Sequence, residues 1–519
     1  MSARLRGHGP ALALILLAAA VLRTVAIGRE SLWTDEALTL TIAHWPVREM
    51  ATQPTDPTPF LYYALHKLLI PADAGAAAAR NISLVAGLLS VPAIYALGRL
   101  ALGRRGGLLA AALLGLSGPL IDYSQEARAY SLLVLLTILS ATGLLWWRRA
   151  DRPRDRRLAL LLFVAATALA FYTHLVAVFP IALALSLLLS FASRARPSRV
   201  PEALAAAAAL GLLAIPGLLR LARQAAIPDG FHWLPQATPA AFLTQTANAF
   251  LPTALWPAAA IPMLALAAAL VTLALLRRPP DAPALAVILA LLALPLLVWL
   301  FGFVARPIFM PRTVLFAIPG AILALSAALL TLRPPARDAA TLALLAASLA
   351  SAIAGGLSRD KEPWTAANAA LAARVRPGDL ILVCPNYVYP ALRHAARTAL
   401  PAPAILPYAR RPLLIEDRFG SDPRWAEAVF DSLLAPNVRR FTRGERPSLP
   451  LRTLQGPVGT AWLVDAGCTP AARAALARAI GASAATPVWR GRPQPDVQPI
   501  EISRLPVEMP GPRALHVPR

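Results

Sequence analysis

The run "LALLLFVAATALAFYTHLVAVFPIALALSLLLSFA" at residues 158–192 decides the fold. It is apolar almost throughout and is broken by Tyr172, Thr173 and His174. A membrane-spanning helix needs about 20 apolar residues, so the run is too long for one span and short for two. We predict two helices, 158–173 and 175–192, that meet at His174.

Apolar runs of spanning length recur along the chain, which is 57% hydrophobic with a mean hydropathy of +0.57. Ordinary globular chains are about 45–50% apolar. We therefore predict an α-helical polytopic membrane protein with about eleven transmembrane helices. Besides the two helices above, the predicted spans are 10–27, 81–101, 106–122, 129–147, 202–220, 255–276, 284–304, 313–332 and 339–356.

Arginine clusters give these spans a direction, because cytoplasmic loops are enriched in Lys and Arg. The predicted cytoplasmic clusters are Arg104 and Arg105; Arg148, Arg149, Arg152, Arg154, Arg156 and Arg157; Arg194, Arg196 and Arg199; Arg277 and Arg278; and Arg333 and Arg337. Every second loop is then basic. This pattern predicts a multi-pass protein of the cytoplasmic (inner) membrane whose N-terminus is cytoplasmic. Merging 158–192 into one helix would invert every later loop.

The formal charge of +23 is also explained by the arginine clusters in the predicted cytoplasmic loops. The arginines lie in short clusters between apolar runs and not on one amphipathic face, so we expect no nucleic-acid partner. The partner that the composition predicts is the lipid bilayer.

Composition changes after the last span, and we predict a transmembrane domain at 1–356, with a first outer loop at 28–80, followed by an extracytoplasmic soluble α/β domain at 357–519. Strand-like runs at 379–384 and 460–465 alternate there with Ala-rich helical stretches at 365–376 and 470–481. The chain has two cysteines, Cys384 and Cys468, and both lie in this region. They form either a disulfide or two free buried thiols.

The first outer loop contains "RESLWTDEALTL", in which Asp35 and Glu36 are adjacent. Adjacent carboxylates at a membrane surface suit a general base or a divalent-cation site, because mutual repulsion and desolvation raise a carboxyl pKa. The alternative is structural. Thr34 would then be a helix N-cap, and both acids would lie in the first turn.

Further along the loop, "PTDPTPFLYYALHKLL" joins a Pro-broken turn to an aromatic stretch with Phe60, Tyr62 and Tyr63. The stretch is too short to span a membrane and is typical of an interfacial helix. Asp56 and Tyr63 are candidate substrate-binding residues here.

Three short outer loops add candidates. Glu126 and Arg128 follow the third span, and they form either an ion pair at a helix start or a phosphate site, since guanidinium groups suit phosphate. Arg306 and Arg312 precede the tenth span and either bind a phosphate or extend to the interface. His174 would lie on the same outer side of the membrane, and its role is either in the active site or structural.

Five motifs occur in the order "SLWTDEA", "PTPFLYYALH", "YSQEARAYSLL", "RPIFMPRTVLFAIPG" and "KEPWTAANAALAARVRPGDLILV". In this order they resemble bacterial membrane glycosyltransferases related to protein O-mannosyltransferases and aminoarabinose transferases. The resemblance covers most of the chain and is strongest over residues 25–150 and 305–385.

The resemblance implies a C-type glycosyltransferase fold and a sugar transferred, with inversion, from a polyprenyl-phosphate donor to an acceptor hydroxyl outside the cytoplasm. In such enzymes an acid of the first outer loop acts as the catalytic base or binds the acceptor, and it maps here onto Asp35 with Glu36 beside it. Arg128 would hold the donor phosphate. The acceptor would be a protein, a glycan or a lipid. The resemblance names no cofactor, and it leaves open a divalent cation bound by Asp35 and Glu36.

Two motifs depart from the pattern of the relatives. Asp56-Pro57-Thr58-Pro59 replaces His-Pro-Pro, which puts acceptor or cation contacts there in question. Arg312-Thr313 replaces Arg-Tyr and retains only the cation. A transporter or flippase of lipid-linked sugars is the alternative function, although it should carry charges near the middle of its spans.

Overall fold

The computed structural model describes most of the chain. The described residues are 9–52, 58–71, 74–195, 199–225, 236–250, 260–358, 361–376, 379–384, 388–398, 413–414, 460–468, 485–491 and 499–506. The predicted helical stretch at 470–481 lies outside them.

The described chain is mostly helical. Its helices are α1 (Gly9–Thr24), α2 (Thr34–Ala43), α3 (Val47–Thr52), α4 (Phe60–Leu69), α5 (Ala76–Ala79), α6 (Asn81–Gly115), α7 (Gly118–Ser124), α8 (Tyr130–Arg149), α9 (Pro153–Thr173), α10 (Val178–Ala195), α11 (Val200–Ala225), α12 (Pro239–Phe250), α13 (Ala260–Arg277), α14 (Ala282–Val304), α15 (Ile318–Leu330), α16 (Pro334–Ser358), α17 (Trp364–Ala372) and α18 (Tyr389–Thr398).

Within the described residues, seven helices are long and apolar enough to cross a membrane, and α1, α13 and α15 contain shorter apolar helices. The chain is a multi-pass membrane protein. Most predicted spans coincide with a helix or half of one. The count of eleven crossings is not confirmed and stays a prediction, as does the domain boundary after residue 356.

Two predicted spans, 81–101 and 106–122, meet inside α6, where the chain reverses at Gly103. Gly103 has φ +79° and ψ −178°, a conformation that glycine adopts without a steric penalty. A Cβ at Gly107 would lie 2.7 Å from the backbone oxygen of Tyr95. In a continuous helix these residues would be about 18 Å apart. The second half ends at Gly115, and α7 begins three residues later, so the predicted span to 122 is broken before Pro119.

The predicted break at His174 is confirmed. Helix α9 ends at Thr173, a 3₁₀ turn at Leu175–Ala177 follows, and α10 begins at Val178. The Nδ1 atom of His174 accepts a hydrogen bond from the backbone N–H of Val176 at 3.2 Å, which caps the turn. The polar break therefore separates two helices.

Among the described residues of the C-terminal region, five strands form one sheet with the order β2-β1-β3-β5-β4. The strands are β1 (Leu380–Cys384), β2 (Leu413–Leu414), β3 (Thr460–Asp465), β4 (Thr486–Arg490) and β5 (Glu501–Pro506). Strand β1 is parallel to β2 and β3, and β5 is antiparallel to β3 and β4. Cys384 at the end of β1 and Cys468 after β3 form a disulfide, with Cα atoms 5.4 Å apart. Of the two alternatives for these cysteines, the bonded one is observed.

The segment between α1 and α6, which we predict to be the first outer loop, packs on this C-terminal region. One apolar core contains Leu32, which precedes α2, and Ile42, which lies in α2. The same core contains the distant residues Trp364, Ile381 and Trp462. All five side chains are buried. Helix α2 is therefore held by residues more than three hundred positions later in the chain, and this contact positions the acids at its start.

Candidate active site

Helix α2 carries the acid pair at its N-terminus. The helix begins at Thr34, and its N-cap is Trp33, so the alternative in which Thr34 is the N-cap is wrong by one residue. The reason is that a distant carboxylate, that of Glu362, accepts from Thr34 N at 2.9 Å and from its hydroxyl at 2.6 Å. Thr34 donates to this acceptor and does not cap its own helix.

Glu36 lies in the interior with no exposed surface. Its two carboxylate oxygens accept from Nε and Nη2 of Arg80, each at 2.7 Å. Lys361 Nζ lies 3.2 Å from Oε2, and the backbone N–H of Ala127 donates to Oε1 at 2.8 Å. Burial by itself would raise the pKa of Glu36, but Lys361, Arg80 and the Ala127 amide outweigh it and hold the pKa at about 2. Glu36 is therefore an ionised, fully engaged carboxylate.

Arg80 also organises the loop before α2. Its guanidinium donates to the backbone oxygens of Ile27 at 2.6 Å, Glu30 at 3.3 Å and Ser31 at 3.2 Å. The Arg80–Glu36 pair thus connects α2, the start of α6 and the chain that leaves α1. Glu36 therefore has a structural role: it pairs with Arg80 and so fixes the helix that carries Asp35.

Asp35 points to the other side of α2 and is partly exposed. Its Oδ2 atom lies 3.5 Å from Nη1 of Arg312. Nη1 of Arg128 lies 3.4 Å from the backbone oxygen of Asp35 and 3.4 Å from the hydroxyl of Thr39, one turn further along α2. Asp35, Arg128 and Arg312 thus lie together at the start of α2 and are called here the acid–arginine cluster.

Burial alone would lower the pKa of Arg312, but Tyr130 and the Asp35 carboxylate raise it above its usual value, so the guanidinium stays charged. Arg128 is only 4% exposed. Both cations are guanidinium groups, whose planar set of N–H donors matches the oxygens of a phosphate.

A chain of hydroxyl groups positions Arg128. The Ser83 hydroxyl donates to the backbone oxygen of Arg128 at 2.9 Å. Since a hydroxyl has one proton, Ser83 accepts from the Tyr62 hydroxyl, 2.7 Å away. Burial raises the pKa of Tyr62, which keeps the phenol protonated as a donor. Helix α4 therefore helps to fix the position of Arg128.

Aromatic rings line the cluster on the side of α8. Tyr130 packs edge-on against Tyr123, with ring centroids 5.3 Å apart, and lies 5.6 Å from the ring of His174. His174 is buried at 2% exposure. Its ring thus supports Tyr130, which places this predicted residue beside the cluster.

The other predicted site residues are Glu126, Tyr63, Arg306 and Asp56, and none of them belongs to the acid–arginine cluster. Glu126 is buried, and its backbone oxygen accepts from the Arg128 N–H at 2.7 Å. Tyr63 is 1% exposed in the core beneath α2. Arg306 is half-buried in the same connection as Arg312. Asp56 lies outside the described residues.

The acid pair does not fit a divalent cation. Glu36 already accepts from two cationic side chains, and the Asp35 carboxylate faces a third. In the described part of the chain, no group of three or more His, Cys, Asp or Glu side chains could hold a metal ion. The predicted cation site at Asp35 and Glu36 thus lacks support in this geometry.

Three residues at the site were missed by sequence reasoning: Arg80, Lys361 and Glu362. Arg80 resembles any other arginine of an arginine-rich chain. A signal for Lys361 was available, because the chain has lysine only at Lys67 and Lys361. Glu362 follows it in the "KEPW" motif, whose contact with α2 required the tertiary structure.

Comparison with known proteins agrees with this architecture. Residues 56–219, less than half of the chain, match the family model described as dolichyl-phosphate-mannose-protein mannosyltransferase. No curated protein sequence matches the chain. The matched range includes Arg128 and His174 and leaves Asp35 and Arg312 outside.

The fold is similar to solved structures of ArnT from Cupriavidus metallidurans. The apo form aligns with a TM-score of 0.59 and 16% identity over 96% of this chain and 99% of that one. The form bound to undecaprenyl phosphate aligns with a TM-score of 0.55 and 16% identity over 98% and 100%. An Archaeoglobus fulgidus oligosaccharyltransferase in complex with Zn and sulfate aligns with a TM-score of 0.49 and 14% identity over 87% and 68%. The predicted resemblance to C-type membrane glycosyltransferases is thus confirmed at the level of the fold, which this chain shares with ArnT over nearly its whole length.

Proposed function

We propose that this protein is an integral membrane glycosyltransferase that moves a sugar from a polyprenyl-phosphate donor to an acceptor hydroxyl on the extracytoplasmic face. The observation that carries the proposal is the acid–arginine cluster. It places a partly exposed carboxylate 3.5 Å from one guanidinium, with a second guanidinium over the backbone of the same residue. This geometry supports a base beside a phosphate site.

The reaction we propose is a single displacement with inversion. The Asp35 carboxylate takes the proton of the acceptor hydroxyl, and the oxygen forms a bond to the anomeric carbon of the sugar. The bond from that carbon to the phosphate oxygen breaks, and its electron pair leaves with the polyprenyl phosphate. Asp35 must lie within about 3 Å of the hydroxyl at this stage.

Arg128 and Arg312 would stabilise the charge that develops on the departing phosphate. Arg306, in the same connection as Arg312, is a further candidate for this contact. When a donor phosphate binds, it competes with Asp35 for Arg312 and so releases the carboxylate to act as the base. Glu36 would act indirectly, by fixing α2 through Arg80.

The ArnT structure bound to undecaprenyl phosphate supports a lipid-linked donor, because that protein has the same fold. The arginine clusters between the spans support a cytoplasmic N-terminus and an extracytoplasmic C-terminal region. The disulfide between Cys384 and Cys468 supports the same orientation, since disulfides persist in oxidising compartments.

The experiment is transfer of radiolabelled sugar by the purified protein in proteoliposomes, with a panel of polyprenyl-phosphate hexoses and pentoses and a cell-envelope acceptor fraction. We expect the label to move from the lipid donor to the acceptor for at least one donor. Flux of intact donor across the bilayer, without transfer, would favour the flippase alternative. The panel also identifies the sugar.

A further inference from the structure

The N-terminus of α2 is held by a residue from the C-terminal region. The first N–H groups of a helix have no partner within it, and Trp33 supplies no side-chain cap. Glu362 Oε2 accepts instead from Thr34 N at 2.9 Å and from the Thr34 hydroxyl at 2.6 Å. A carboxylate at this position also interacts favourably with the helix dipole.

Glu362 is itself fixed on the other side. The indole N–H of Trp364 donates to the same Oε2 atom at 2.5 Å, and Trp364 is fully buried in the core that contains β1 and β3. The Ser31 hydroxyl donates to the backbone oxygen of Glu362 at 2.9 Å. Three donors on one oxygen, backed by a buried ring, leave the carboxylate little freedom.

The neighbouring residue adds a second connection. Lys361 Nζ lies 3.2 Å from Glu36 Oε2 and donates to the backbone oxygen of Gln125 at 3.3 Å. Glu362 therefore contacts Thr34 and Lys361 contacts Glu36, two successive parts of the first turn of α2. Asp35 lies between the residues they hold, Thr34 and Glu36.

We propose that Glu362 is a positioning residue that sets the direction of the Asp35 carboxylate by clamping the first turn of α2 to the C-terminal region. The inference rests on the proposed function for its catalytic consequence. Arg312 comes from the connection before α15, so only a fixed α2 keeps Asp35 aligned with it.

The test combines kinetics with amide hydrogen exchange on the full-length protein. Glu362→Ala removes all three acceptor contacts, and we expect kcat to fall about 10- to 100-fold while the donor KM changes less than about threefold. Exchange should accelerate in peptides that cover residues 31–43. Glu362→Gln keeps an amide oxygen as an acceptor and should restore much of kcat. Glu501→Gln, which breaks the Arg490–Glu501 ion pair elsewhere in the C-terminal region, is the matched control and should leave both readouts unchanged.

Thr34→Val keeps the backbone donor and removes the hydroxyl, so it serves if Glu362→Ala does not fold. We expect a loss of kcat smaller than that of Glu362→Ala, because only one of the three donors to Glu362 is removed. Unchanged kcat in these variants, or a loss that appears only in KM, would overturn the positioning role. If the unmodified protein transfers no sugar from any donor, the proposed function fails, while the exchange data still decide whether Glu362 holds α2.

Discussion

The carboxylate of Asp35 lies 3.5 Å from the guanidinium of Arg312, although 277 residues separate them in the chain. Asp35 lies in the first turn of helix α2, and Arg312 lies in a 3₁₀ turn before α15. Their contact depends on the packing of the helices that lie between them in the chain. The pair therefore joins the fold to the proposed chemistry.

Arg312→Gln should lower kcat/KM for the donor about 100- to 1,000-fold, because the leaving phosphate loses a charged partner. Arg312→Lys should retain part of this activity as a point charge. Steady-state transfer rates measure both. Arg278→Gln, at an exposed arginine after α13, is the control and should transfer normally. Equal rates for Arg312→Gln and the unmodified protein would remove Arg312 from the site.

Arg80→Met should destabilise the protein by about 3–5 kcal/mol, because it leaves the Glu36 carboxylate buried without its bidentate partner. The double variant Arg80→Met with Glu36→Leu should recover much of this loss, since no unpaired charge remains. Thermal unfolding in detergent gives the comparison. An unfolding temperature unchanged by Arg80→Met would mean that the pair contributes nothing to the fold.

Stability should also depend on pH through Glu36. Its folded pKa of about 2 lies below its ordinary value of 4.5, so the folded protein binds this proton less tightly than the unfolded chain does. The stabilisation is fully present above about pH 4.5 and is lost as the pH falls towards 2. Glu36→Gln should flatten this part of the stability profile. A variant profile as steep as that of the unmodified protein would contradict the assignment.

The sequence predicted the features that depend on local pattern. Hydropathy located the long apolar helices, the polar residues at His174 separated α9 from α10, and alternating strand-like runs identified β1 and β3. Asp35 was identified because it is adjacent to Glu36, and Arg128 and Arg312 because each is a cation in a short loop between two apolar runs.

The features that the sequence did not predict depend on contacts between distant segments. Glu362 is 328 residues from Thr34, and no local periodicity links them. Glu36 was interpreted as a partner of Asp35 in function, whereas burial and Arg80 give it a structural role. Adjacent positions on a helix point about 100° apart, so one acid faced the core and the other the cluster.

Replacing both Cys384 and Cys468 by Ala should destabilise the C-terminal region by about 2–5 kcal/mol, because the disulfide closes a loop of 84 residues. In the unmodified protein, maleimide should label no cysteine until a reductant is added. Denaturation before labelling, without reductant, is the control for burial. Labelling under that condition would show free thiols and would weaken the proposed extracytoplasmic location.

The most direct measurement is sugar transfer by Asp35→Asn, which keeps the shape of the side chain and removes its basicity. We predict that transfer from the polyprenyl-phosphate donor falls below about one thousandth of the unmodified rate. Protein level and unfolding temperature should be unaltered, and Asp338→Asn, at an exposed acid of α16, should transfer normally. Turnover by Asp35→Asn at the unmodified rate would contradict the assignment of Asp35 as the base.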